Sequence, residues 1–70
     1  MDHTTRIKMA HAVANYTQAQ AHRYDNDYRA ACSLFNHGVT LEDMAALDRP
    51  GGAAIQDRVD AILYEPRELT

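Results

Sequence analysis

One thiol and four imidazoles are the side chains here that could do chemistry. Cys32 and His37 are five residues apart, a separation that turns them to different faces of a helix. They therefore do not read as a nucleophile and its base. With Tyr28, Ala31 and Phe35 as neighbours, Cys32 reads as a small buried thiol. The histidines His3, His11, His22 and His37 contain no His-x3-His pair and no cysteine at zinc-ligand spacing. His11 and His22, three helical turns apart, read as solvated surface groups. No Gly-x-Ser-x-Gly elbow or glycine-rich phosphate cradle is present, and Gly51-Gly52 reads as a turn. The expectation is a non-enzymatic protein without metal or cofactor.

The tyrosines Tyr16, Tyr24, Tyr28 and Tyr64 are the remaining distinctive groups. On a helix such rings serve a core or an interface, where the ring buries area and the hydroxyl finds water. Two of them lie on a longer pattern. Ile7, Ala10, Ala14, Thr17, Ala21, Tyr24, Tyr28, Ala31 and Phe35 follow at alternating steps of three and four, and none is charged. That spacing keeps one stripe of a helix facing a partner. The expected protein interface is Ala10, Ala14, Thr17, Ala21, Tyr24 and Tyr28, with Arg29 beside it; tyrosine and arginine are favoured interface anchors.

The element that must carry this stripe is a long helix over residues 4–36, capped by Thr4 or Thr5. Thirty-two helical residues span about 48 Å, whereas a compact chain of this length is about 30 Å across. Either the helix runs on and its overhang pairs with another chain, or it breaks. The candidate break is Tyr24-Asp25-Asn26-Asp27-Tyr28, whose weak propensities sum to about 3 kcal/mol against alanine. Asn26 would then cap a second helix. The unbroken phase of the stripe and the Asp25/Arg29 spacing favour continuity.

Gly38 is placed to stop this helix in the left-handed conformation, with Val39 reaching back to Leu34. Thr40 opens a short helix over 40–48, with Asp43 completing a capping box and Leu41, Met44 and Ala45 inward. Asp48-Arg49-Pro50-Gly51-Gly52 ends it. A last helix over 52–64 sets Ile55, Val59, Ile62 and Leu63 on one face, and residues 65–70 form a tail. The fold class is all-α: a long N-terminal helix followed by two shorter helices in a small head, one domain spanning 1–70.

The run Arg29-Ala30-Ala31-Cys32-Ser33-Leu34-Phe35-Asn36-His37-Gly38-Val39-Thr40-Leu41-Glu42-Asp43-Met44-Ala45-Ala46-Leu47 resembles the opening of a helix-turn-helix module. There a first helix ends in Gly-Val-Thr/Ser and a short second helix follows. The resemblance implies that Ala53 to Leu63 takes the recognition position, with Arg49, Gln56 and Arg58 as DNA contacts. Two departures stand beside it. The turn before the last helix is long, and that helix presents Gln56, Asp57, Arg58 and Asp60, a net negative face opposed to phosphate.

Net charge is −3; residues 36–70 carry seven acidic and three basic side chains, which disfavours nucleic acid. The polar start, Met1-Asp2-His3-Thr4-Thr5-Arg6, is no secretory signal, and no apolar run approaches a membrane span. With one cysteine in 70 residues, no internal disulfide can staple a chain whose core is marginal for its size. A second copy or a partner protein is the expected supplement. Taken together, the residues read as a small cytoplasmic regulator or adaptor, of the kind phages and plasmids carry. It would act by protein–protein binding and self-associate through its long helix. The alternative is a dimeric helix-turn-helix DNA-binding regulator.

Overall fold

The first helix begins earlier than expected, its cap lying two residues before Thr4 and three before Thr5. In the computed structural model, which describes residues 2–64, the Asp2 side chain accepts the Thr5 N–H at 2.8 Å and caps α1, His3–Tyr16. That bond holds the Asp2 carboxyl below the usual carboxylate range.

The expected continuous helix over 4–36 is not formed. α1 stops at Tyr16, residues 17–26 are non-helical, and α2 runs Asp27–Asn36. Thr17 closes α1: its N–H and its hydroxyl both donate to the Val13 carbonyl, each at 2.9 Å. Local propensity does not force this stop, because Gln18, Ala19, Gln20 and Ala21 are sound helix formers. Burial decides it. Met9 and Val13 lie off the alanine stripe and are fully buried, and covering each stabilises the chain by roughly 1.5–3 kcal/mol. A helix running straight on would carry residues 27–36 away from them, at about 1.5 Å per residue. Turning back lets α2 cover them with Ala30, Ala31 and Leu34, and α1 against α2 is the main helix contact.

The reversal is tied down at several points. The Arg23 N–H donates to the Leu63 carbonyl at 2.8 Å. His22, expected on the surface, keeps only 8% of its side chain exposed. Its Nε2 lies 2.9 Å from Asp27 Oδ1 and its Nδ1 is 3.2 Å from the Tyr24 N–H. One tautomer satisfies both bonds, with the proton on Nε2 and Nδ1 accepting. The Tyr24 hydroxyl bonds Ser33 Oγ at 2.6 Å. Asn26 caps α2 by accepting the Arg29 N–H at 2.8 Å, as the broken-helix reading required.

The corner after α2 follows the sequence closely. Gly38 has φ +85°. The Val39 N–H reaches the Leu34 carbonyl at 2.9 Å and the Gly38 N–H reaches Phe35 at 3.0 Å, the paired bonds of a Schellman stop. Thr40 and Asp43 exchange both capping-box bonds at the start of α3, Leu41–Ala45. Met44 turns inward as expected; Ala45 does not and is exposed. Gly52 opens α4, Ala53–Leu63, where a Cβ would sit 2.4 Å from the Leu47 carbonyl oxygen. Val59 and Leu63 complete the core, with Ile55 and Ile62 half-buried at its edge.

The regular structure among the described residues is thus all helix, with α2 at the centre, α1 and α4 packed on it, and α3 packed on α1. The tail assigned to 65–70 lies outside them. No described helix is long and apolar enough to cross a membrane.

Candidate functional site

Tyr16, the last residue of α1, stands between two clefts. Its ring and Ala12, one turn earlier, form a wall that faces Leu41, Met44 and Leu47 across a cleft of about 380 Å³. Asn15 and Asp48 stand at the rim, and exposed Ala45 lines the opening. Leu41 and Leu47 are half-buried. Their partial exposure follows from the shortness of α3: a helix of little more than one turn cannot turn every leucine inward.

The second cleft, about 430 Å³, lies on the other side of Tyr16 and is polar. Gln20 and Ala21 bound it on one side, and Gln56, Asp60 and Tyr64 on the other. The Tyr16 hydroxyl donates to Asp60 Oδ1 at 2.6 Å, joining α1 to α4. Burial, and then this bond to a carboxylate, raise the Tyr16 pKa above the tyrosine norm. Tyr64 is raised as well, by burial first and the Asp60 charge second. The Tyr64 hydroxyl is enclosed and has no hydrogen-bond partner among the described residues.

The residues expected to form one interface stripe no longer share one helix, although Ala14, Thr17, Ala21 and Tyr24 line one cleft at the reversal and Tyr24, Tyr28 and Arg29 line a second. Thr17 is buried; Ala10, Ala14, Tyr24 and Tyr28 are half-buried; Ala21 and Arg29 are exposed. Ala10 and Tyr24 pack on the core, the Tyr28 hydroxyl lies 3.3 Å from His3 Nδ1, and Arg29 pairs with Asp25 at 3.1 Å. Reversal of the chain at 17–26 is the reason, because a stripe that depends on one continuous helix ends with it.

All three residues named for DNA contact, Arg49, Gln56 and Arg58, are exposed. Arg58 donates from Nη2 to the His37 carbonyl at 3.2 Å, covering the C-terminal end of α2. α3 and α4 are separated by residues 46–52, and each packs mainly on a different helix, unlike the mutually packed pair of a helix-turn-helix.

Cys32 is half-buried, lining a cleft with Arg6, Phe35 and Asn36. His37 is instead engaged with the Ser33 carbonyl through Nδ1, at 2.8 Å, so the thiol and this imidazole are not brought together. Among the described residues, no group of three or more His, Cys, Asp or Glu side chains is placed to hold a metal ion.

Sequence reasoning missed the Tyr16–Asp60 pair and the cleft walls. A signal for the polar cleft was present: Gln56 and Asp60 are four residues apart on α4 and share a face of it. Comparisons with protein-family models, curated proteins and solved structures find no match for this chain.

Proposed function

We propose that this chain is a non-enzymatic regulator or adaptor that acts by binding protein, and that the α1–α3 cleft is its contact face. The observation that supports the reading is the cleft wall itself. Tyr16, Leu41 and Leu47 are half-buried at the edge of the core, and the three line one concavity together with Met44. Interface cores of this kind join an aromatic anchor to aliphatic neighbours within a polar rim, and Asn15 and Asp48 supply the rim here. An intracellular setting fits the lone thiol.

Self-association through one long helix has no overhang to use, since α1 ends at Tyr16. The DNA-binding alternative has less to support it. Arg58 is turned to the His37 carbonyl, and α4 carries Asp57 and Asp60 beside it, which oppose phosphate.

The test is affinity recovery from the native cell, with nuclease treatment, using the unaltered chain and Ala45→Arg as paired baits. Ala45 is exposed on α3, so the fold tolerates the longer side chain while the cleft opening does not. A protein retained by the first bait and lost by the second is expected. Recovery of a discrete DNA fragment, indifferent to Ala45→Arg, would favour the alternative.

A further inference from the structure

We infer that the two clefts flanking Tyr16 form one surface for a basic amphipathic helix of a partner protein, its apolar side chains in the α1–α3 cleft and a lysine or arginine at Asp60. This inference rests on the protein-binding reading above and specifies the partner.

The charge of the surface carries it furthest. The side chains lining the two clefts include two carboxylates, Asp48 and Asp60, and no lysine or arginine. Glu42 and Asp57 are exposed on the same two elements, α3 and α4. Arg58, the basic residue of α4, is held at the His37 carbonyl. Asp60 uses Oδ1 for the Tyr16 hydroxyl, and its Oδ2 has no partner among the described residues. A cation arriving there meets a carboxylate already fixed in place, flanked by the rings of Tyr16 and Tyr64. Carboxylate and aromatic faces together suit an ammonium or a guanidinium.

The apolar cleft determines the partner's shape. The described residues include no strand, so no sheet edge is available to pair with an extended peptide. An extended segment in the cleft would leave its N–H and C=O groups facing Leu41, Met44 and Leu47 without partners, which is costly. A helix satisfies its own backbone and needs only side chains to insert. Tyr16 lines both clefts, so one helix carrying apolar and basic residues on adjoining faces can engage the two at once. A second copy of this chain fits less well. The exposed faces of α1 and α4 offer Lys8, His11 and Asn15, and Gln56, Asp57 and Arg58, with no large apolar side chain to insert.

The experiment uses the full chain and two synthetic helical peptides. One has leucines at i, i+4 and i+7 flanked by lysines; its twin has glutamates in place of the lysines. Binding is read by fluorescence anisotropy, and circular dichroism checks the fold of each variant. The lysine peptide is expected to bind about tenfold more tightly than its twin, a preference that shrinks as salt rises. Asp48→Asn with Asp60→Asn keeps the oxygen that Tyr16 bonds and should bring the two peptides to within about twofold of each other. Ala45→Gln, neutral and at the cleft mouth, should weaken both.

Equal affinity for the two peptides, lost in Ala45→Gln, overturns the basic partner while leaving the cleft as a protein contact. Binding indifferent to Ala45→Gln overturns both readings. No binding of either peptide, with light scattering showing a dimer that Ala45→Gln dissociates, replaces the foreign helix with a second copy. No binding by a monomer overturns the inference outright.

Discussion

Tyr16 donates its phenolic proton to Asp60 at 2.6 Å, a bond between the last residue of α1 and the third turn of α4. It ties together two helices that share no extended packing, and it fixes the wall between the two clefts. Replacing Tyr16 with Phe should cost about 1 kcal/mol in urea unfolding, less than a buried hydrogen bond to a charged group because the pair is half-exposed.

The same pair sets an alkaline limit. Folding raises the Tyr16 pKa above its unfolded value. The folded state therefore binds the proton more tightly, and the sign of the linkage follows. Its stabilising contribution is fully present below about pH 10 and is lost as pH rises from there through the folded pKa. Tyr16→Phe should flatten the stability profile above about pH 10, where the unaltered chain declines. Equal slopes in the two proteins would show that the proton is held no more tightly in the folded state.

Asn26 discriminates between a turned-back chain and a straight helix by the sign of one measurement. At an N-cap, Asn26→Ala should destabilise by about 1 kcal/mol. In a helix interior the same change would stabilise by roughly 0.5 kcal/mol, because alanine is the better helix former. Thermal and chemical unfolding both read this sign.

His22 fastens the reversal from within. Its ring bonds Asp27 and the Tyr24 N–H and is nearly covered. His22→Ala should leave a void and an unpaired Tyr24 N–H, costing about 2 kcal/mol. Amide exchange should quicken at Arg23 and Tyr24 before it does so at Leu34. Uniform quickening across the chain would mean that 17–26 does not open as a separate unit.

The two glycines of the α3–α4 turn should respond in different degrees. A Cβ at Gly52 would sit 2.4 Å and 2.6 Å from the carbonyl oxygens of Leu47 and Ala46, which are backbone and cannot move aside cheaply. A Cβ at Gly51 meets open space, and only its φ of +88° is strained. Gly52→Ala should therefore cost about 3 kcal/mol and Gly51→Ala about 1 kcal/mol. The reverse order would contradict the turn geometry.

What the sequence revealed depended on how local each cause was. The corner from Leu34 to Asp43 was legible because its signals sit within ten residues and each acts on its neighbours: a left-handed glycine, a hydrophobic return, a reciprocal cap. The end of α1 was not, because Gln18 to Ala21 favour helix and the stop is enforced by α2 covering Met9 and Val13. Nor could periodicity choose the buried face of α1. Ile7, Met9, Ala10, Ala12, Val13, Ala14 and Tyr16 surround the helix, and contact with α2 covered Met9 and Val13 while Ile7 and Tyr16 stayed half-buried. The cleft at Tyr16 depends on a pairing 44 positions apart, beyond the reach of any local pattern.

The most direct test is a titration of isotopically labelled chain, followed by amide chemical shifts, with the lysine-flanked helical peptide and separately with duplex DNA. Binding through the Tyr16 clefts predicts that the peptide moves Ala12, Tyr16, Leu41, Ala45, Leu47 and Asp60 together, while DNA leaves them in place. Shifts produced by DNA at Arg49, Gln56 and Arg58, with the α1–α3 cleft silent towards the peptide, would contradict it.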